Sequence, residues 1–347
     1  MGLLIYGANG YSGKLVLEEA LRKGLRPILA GRNESKIKSL AAAYQLEHRI
    51  FSLENVPKVV SNLEGVNVVL NCAGPFSKTA KPLIEACLLA QSHYLDITGE
   101  LDVFEMAKEF DLQAKDNEII IMPGVGFDVV PTDCMANHLK EKLPDATHLE
   151  LAFMSLGGGM SHGTATTMVE SLGKAGAVRV DGKIEEVLLG HEGKEIDFGI
   201  KKSWAMTIPW GDISTAYTST GIENIQVFTA IPKTTFNLLK AQQLITPILQ
   251  NKWVKGMIKE YVDENITGPT PEQNKNGVSL IYGRVHNGTK GEVEARLKGP
   301  ETYLFTAKVA VLLCQKVMET KDQYGYFTPA KLFGPDFILE IEGVEFI

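Results

Sequence analysis

The stretch Leu3-Leu4-Ile5-Tyr6-Gly7-Ala8-Asn9-Gly10-Tyr11-Ser12-Gly13 sets three glycines, spaced G-x-x-G-x-x-G, between an apolar run and an amphipathic segment. Gly7 permits a tight turn off a strand, Gly10 lets backbone approach a ligand, and Gly13 lets the following helix pack closely on a sheet. A helix that starts there offers N–H groups and a partial positive charge to an anion. Alone the triplet could be an ordinary glycine turn, but here it follows a strand, opens a helix and begins a doubly wound pattern. The join therefore predicts a strand, a turn and a helix that together hold the pyrophosphate of a dinucleotide.

The rest of the N-terminal region repeats that strand and helix rhythm. Apolar runs at Leu3 to Tyr6, Pro27 to Ala30, His48 to Phe51, Val66 to Asn71, His93 to Ile97 and Glu118 to Met122 read as strands. Between them, Ser12 to Lys23, Ser35 to Tyr44, Pro57 to Leu63, Thr79 to Ala90 and Leu101 to Ala114 carry helical periodicity. Parallel strands need crossovers, and those crossovers are usually helices, so the alternation predicts a doubly wound parallel sheet. After Pro144 the texture changes to β-rich runs, such as His148 to Met154 and Asn224 to Ala230, with a helical stretch from Thr235 to Val262. Pro269 to Asn276 reads as an exposed loop, and Tyr303 to Glu319 returns to helix.

Composition narrows the function classes. The chain has 347 residues and a formal charge of -7, with no block of like charge that would suit nucleic acid. Four scattered cysteines without a C-x-x-C pair fit thiols in a reducing compartment better than a disulfide framework or a zinc site. No run approaches 18 apolar residues and no leader precedes the first strand, so the expectation is a cytoplasmic chain without an integral membrane span.

Cofactor choice rests on the end of the second strand. An NAD site usually places an acid there, whereas an Arg accommodates the 2′-phosphate of NADP. The chain reads Ala30-Gly31-Arg32-Asn33, with Ser35 and Lys36 one turn on. Arg32 could also be a solvated loop charge and Glu34 a displaced acid; the reading favours NADP(H). Around it we assign Gly7, Asn9, Gly10, Tyr11, Ser12, Gly13, Arg32, Asn33 and Lys36 to the cofactor.

Ligands of open α/β sheets sit beyond the carboxyl ends of the strands. That brings in Cys72, Ala73, Gly74 and Pro75 after the fourth strand and Thr98 after the fifth. Cys72 reads as a small packing residue rather than a nucleophile, since no histidine is near it in sequence. Strand alternation points Tyr94 and Asp96 to one face, where either could donate a proton, although Asp and Thr before a helix are ordinary caps. The Gly157 to Thr164 run could form a flexible lip with His162 as an acid or substrate contact, or be a loop with one exposed histidine. The catalytic candidates are thus Tyr94, Asp96 and His162, with no metal site.

Taken together, Gly7 to Gly13, Ala30 to Asn33, Cys72-Ala73-Gly74-Pro75-Phe76 and Tyr94-Leu95-Asp96-Ile97-Thr98-Gly99-Glu100 resemble the saccharopine dehydrogenase-like oxidoreductase family. Pro123-Gly124-Val125-Gly126-Phe127-Asp128, Pro209-Trp210-Gly211-Asp212 and Phe327-Thr328-Pro329-Ala330 extend the resemblance, which is greatest to the branch that includes trans-acting enoyl reductases. It implies an NADP-binding Rossmann domain over residues 1–130, completed by 301–347, and a mixed α/β substrate or dimerisation domain over 131–300. The activity it implies is NADPH-dependent hydride transfer to a C=C, C=N or C=O bond in the cleft between them. A saccharopine reductase-type dehydrogenase and a non-catalytic NADPH-binding scaffold are the alternatives.

A substrate with several carboxylates calls for Arg, whose planar fork binds carboxylate in bidentate fashion. Residues 151–300 hold only Arg179, Arg284 and Arg296, alongside all three tryptophans. The expected partner is therefore a small molecule, apolar or singly charged, with a homodimer as the candidate assembly. Asp128 reads as a structural or cofactor-side contact at the domain junction.

Overall fold

The computed structural model describes residues 2–171, 173, 175–242, 252–266, 268–288 and 291–347. The chain divides into two compact units, Met1–Asp128 with Tyr303–Pro329, and Val129–Thr302 with Ala330–Ile347. The expected C-terminal completion of the first domain is thus split. Tyr303–Pro329 joins the first unit, while Ala330–Ile347 joins the second. Asp133 shows why, since its carboxylate accepts from Ser219 Oγ at 2.6 Å and from the Ala330 N–H at 3.0 Å, tying the tail to the second unit.

In the first unit the elements run β1 (Leu3–Tyr6), α1 (Tyr11–Arg22), β2 (Ile28–Gly31), α2 (Glu34–Tyr44), β3 (His48–Ile50), α3 (Val56–Ser61), β4 (Val68–Asn71), α4 (Phe76–Ala90), β5 (His93–Asp96), α5 (Leu101–Lys108), α6 (Asp111–Asp116) and β6 (Ile120–Met122). The strands form a parallel sheet in the order β6-β5-β4-β1-β2-β3, extended beside β6 by Gly325–Tyr326. β1, β2 and β4 are buried along their whole length, which is why they read as continuous apolar runs instead of alternating. Register places Tyr6 beside Ala30 and Asn71, and Asn71 beside Asp96, so the carboxyl ends of β1, β2, β4 and β5 are level.

The single helix expected over Leu101 to Ala114 is two helices, α5 and α6, broken at Glu109 and Phe110. Phe110 turns out of helical geometry and packs against the core of the unit.

The second unit carries α7 (Val130–Lys142), β7 (His148–Leu156), α8 (His162–Ser171), β8 (Gly176–Val180), β9 (Lys183–Val187), β10 (Gly193–Asp197), β11 (Lys202–Thr207), α9 (Asp212–Thr220), β12 (Asn224–Ala230), α10 (Lys233–Gln242), the helix Lys252–Asn265, then β13 (Val278–His286) and β14 (Glu292–Pro300). Its mixed sheet runs β10-β11-β12-β7-β13-β14, closed at the β14 edge by Glu345–Phe346. β12 and β7 pair in parallel and the remaining neighbours on that path are antiparallel. The helix expected from Thr235 to Val262 is present at both ends, and its residues 243–251 lie outside the described residues.

Two loop readings are corrected. Residues from His162 onward are helical, because Ser161 Oγ accepts from the Thr164 N–H and caps the turn that the glycines disguise. Pro271–Asn276 is also a short helix, set by a reciprocal capping box between Thr270 and Gln273. Among the described residues no helix is long and apolar enough to cross a membrane.

Candidate nucleotide site

The three glycines have distinct physical duties. Gly7 has φ +84°, and a Cβ there would lie 2.9 Å from the backbone nitrogen of Ala73. A Cβ on Gly13 would lie 2.4 Å from the Gly7 carbonyl oxygen, so only glycine lets α1 sit this close to the turn. Gly10 differs, since its Cβ would meet nothing nearer than the Gly7 oxygen at 3.2 Å and would otherwise point into open space.

Gly10 is also the N-cap of α1, and no side chain caps this helix. The next two helices, α2 and α3, do not share that condition. Asn33 caps α2 by accepting from the Lys36 N–H at 3.0 Å, and Asn55 caps α3 in the same way at 3.1 Å. The first turn of α1 carries no acid either, and a helix start of this kind has a partial positive charge that suits an anion. Near this turn, the Asn9 amide oxygen lies 3.3 Å from where a Gly31 Cβ would be, and the Tyr11 ring packs edge-on against Tyr303 at 5.1 Å. Ser12 is half-buried in the first turn of α1.

Arg32 is exposed at the end of β2 and has no ion-pair partner among the described residues. Its charge is felt by Tyr6, whose phenol is pushed up to about 12 by burial and partly drawn back by the guanidinium. Glu34 is taken up elsewhere, in an ion pair with Lys38 at 2.6 Å along the exposed surface of α2. That occupies the displaced acid. Lys36 is exposed on α2, while the Asn33 side chain is committed to capping and to Ser35 Oγ at 3.0 Å.

Beyond β4 and β5 the side chains form a closed circuit. Fully buried Asn71 donates from Nδ2 to Thr79 Oγ1 at 3.0 Å and to Tyr94 Oη at 3.2 Å, and accepts from the Ala73 N–H at 3.0 Å. Thr79 Oγ1 donates to the Ala73 carbonyl at 2.7 Å, so the Cys72 to Pro75 turn is fixed from both sides. Tyr94 donates to Asp96 Oδ2 at 2.7 Å, and Asp96 Oδ1 accepts from the Thr98 and Gly124 N–H groups at 3.0 and 2.9 Å. Thr98 Oγ1 accepts from the Glu100 N–H at 3.1 Å, and the Glu100 carboxylate accepts from the N–H groups of Phe76 and Ser77 at 2.7 and 3.0 Å. Those last two open α4, which closes the circuit back to Thr79.

Burial governs the ionisation of this region. Asp96 is fully buried and its carboxyl is pushed up to about 6, held from going higher by the N–H bonds of Thr98 and Gly124 and the Tyr94 hydroxyl. Burial, then the Asp96 charge, raises the Tyr94 phenol well above its ordinary value. The Cys72 thiol is raised by the same two causes. Asp128, at the end of the turn after β6, lies with Oδ2 3.1 Å from where a Gly99 Cβ would be. Burial pushes its carboxyl up to about 7. The adjacent Phe127 N–H donates to Thr306 Oγ1 at 3.0 Å.

Tyr94, Asp96, Thr98 and the Cys72 to Pro75 turn are thus one assembly at the carboxyl ends of β4 and β5. His162 is exposed at the first position of α8 in the second unit. Reading the sequence missed Asn71, Thr79, Gly124 and Glu100 as members of the assembly. The Asn that ends an otherwise apolar fourth strand was the one local signal.

Residues 3–122 match the family profile described as the saccharopine dehydrogenase NADP binding domain. The chain is 27% identical over 177 residues to a saccharopine dehydrogenase-like oxidoreductase of Homo sapiens, covering 45% of this chain and 41% of the relative. It is 32% identical over 142 residues to a trans-acting enoyl reductase of Mycobacterium bovis, covering 38% of this chain and 33% of the relative. Each match spans less than half of the relative's length. In fold the chain is similar to an apo saccharopine dehydrogenase (L-Glu forming) from Saccharomyces cerevisiae, with a TM-score of 0.68 at 10% identity, covering 100% of this chain and 99% of the other. Residues 3–122 thus match the profile of a saccharopine dehydrogenase NADP binding domain, and the fold is similar to that of the yeast enzyme along the whole length.

Proposed function

We propose that this protein is an NADPH-dependent reductase acting on a C=C, C=N or C=O bond of a small substrate. The observation that carries the reading is the start of α1, which has no side-chain cap and no acid in its first turn and where a Gly10 Cβ would have one close neighbour, the Gly7 carbonyl oxygen at 3.2 Å, whereas α2 and α3 are capped by Asn33 and Asn55. The residues fit the dinucleotide: the Gly7 to Gly13 turn would hold the pyrophosphate, and Arg32, whose competing acid Glu34 is paired away, would hold the 2′-phosphate. When bound, the nicotinamide supplies the hydride.

The protein's own groups orient and protonate. Tyr94 and Asp96 are sealed from solvent and fully engaged, so their part is to set the β4 and β5 turns. Asp128, with a carboxyl that titrates near neutrality, is the group of the first unit suited to hold a transferable proton. His162 is the exposed titratable candidate of the second unit.

An apolar or singly charged substrate is supported by the arginines of the second unit, all of which are engaged internally. Arg179 donates from Nε to the Ile213 carbonyl at 2.7 Å, Arg284 is paired with Glu150 and Glu292, and Arg296 with Glu294. All three guanidinium groups are thus already engaged by the protein's own acceptors. The four cysteines are all thiols, which supports a cytoplasmic location.

The test is NADPH oxidation with a panel of enoyl, imine and keto compounds. Turnover of one class identifies the bond reduced. Cofactor binding without turnover across the panel would contradict the reductase reading and leave a scaffold.

A further inference from the structure

We infer that Glu100 is a positioning residue for the nicotinamide end of the cofactor, and that it reserves the start of α4 for the protein's own carboxylate. The inference rests on the nucleotide reading above. The Cys72 to Pro75 turn and the Thr98 to Glu100 turn come from different strands, β4 and β5, and both reach the edge of the sheet where the ligand is placed. Backbone pairing of β4 and β5 stops at Asn71 and Asp96, so the two turns need another tie to keep their separation.

Glu100 is that tie. Each of its carboxylate oxygens takes one N–H of the first turn of α4, from Phe76 at 2.7 Å and from Ser77 at 3.0 Å. Its own N–H is held by Thr98 Oγ1, so the residue is anchored on β5 and grips α4. Such bonds from ionised acceptors to helix-end N–H groups are short and strong, and the helix dipole adds to them.

The consequence for specificity follows from the contrast between two helix starts in one unit. α1 begins without any cap, open to an outside anion. α4 begins with an internal anion already seated on it. An anionic group of the substrate therefore finds the start of α4 already taken by the protein's own carboxylate.

The experiment compares two nucleotides on the full chain: NADPH, and 2′-phospho-ADP-ribose, which lacks nicotinamide but keeps the pyrophosphate and the 2′-phosphate. Glu100→Gln leaves one acceptor where there were two, and it should weaken NADPH about tenfold while 2′-phospho-ADP-ribose changes less than about twofold. Glu100→Ala should weaken NADPH further, and added acetate, entering the vacated helix start, should restore part of the loss. Melting temperature is read alongside, and Glu100→Gln serves if the alanine variant does not fold. Equal weakening of both nucleotides, no change in either, or no response of Glu100→Ala to acetate would overturn the assignment. A parent protein that binds neither nucleotide would overturn the nucleotide reading itself, and the assignment with it.

Discussion

Tyr94 Oη lies 2.7 Å from Asp96 Oδ2 and donates its proton to it, with both residues wholly shielded from solvent at the carboxyl end of β5. Two ionisable groups two residues apart on a strand share a face, and here they satisfy each other instead of facing a ligand. The buried pair orders the turns that the ligand would meet.

That arrangement has a pH signature. Burial raises the Asp96 carboxyl from its ordinary 3.8 to about 6, so between those values the folded protein holds a proton that the unfolded chain has lost. Stability from this group therefore falls as pH rises through that window, and the full cost, on the order of 2–3 kcal/mol, is present above pH 6. Asp96→Asn keeps an acceptor for the Thr98 and Gly124 N–H groups and cannot ionise. Urea unfolding from pH 4 to pH 8 should show the parent losing ground against Asp96→Asn as pH rises. A difference that is flat across that range would contradict the assignment.

Asn71 should prove costly to remove. Asn71→Ala strips the acceptor from the Ala73 N–H and a donor from both Thr79 and Tyr94, with a loss of about 1–3 kcal/mol expected. Equilibrium unfolding measures it, and a variant as stable as the parent would show that the circuit is not what holds the turn.

Gly10 and Gly13 should fail in opposite ways. Gly13→Ala forces a methyl to within 2.4 Å of the Gly7 carbonyl oxygen, so the fold itself should lose about 1–3 kcal/mol. Gly10→Val has one tight contact, its Cβ 3.2 Å from the Gly7 carbonyl oxygen, and should melt much closer to the parent temperature than Gly13→Ala, yet lose NADPH because the side chain enters the space proposed for the pyrophosphate. Retained NADPH affinity in Gly10→Val would move the nucleotide elsewhere.

How much of this was legible in the sequence depended on range. The β1, α1 and β2 elements are within two residues of their sequence-derived bounds, because their signals, a buried apolar run and a glycine triplet, are local. Asn71 and Glu100 were hidden for the opposite reason. Their partners lie up to 24 residues away, and pairing exists only once β4 and β5 lie side by side. α8 was misread because Gly157, Gly158, Gly159 and Gly163 look like loop, while the capping Ser161 that starts the helix sits among them. Most of the second sheet is antiparallel with short, partly exposed strands such as β9, whose alternation is too weak to stand out from turn residues.

In the proposed function the Gly7 to Gly13 turn and Arg32 together hold NADPH. Calorimetric titration of NADPH and NADH into the parent and into Arg32→Ala tests it most directly. Charge-assisted bonds of about 1.5–3 kcal/mol each predict that the variant binds NADPH more weakly by roughly one to two orders of magnitude. NADH, which has no 2′-phosphate, should bind both proteins alike. Equal losses for the two nucleotides, or unchanged NADPH binding, would contradict the account.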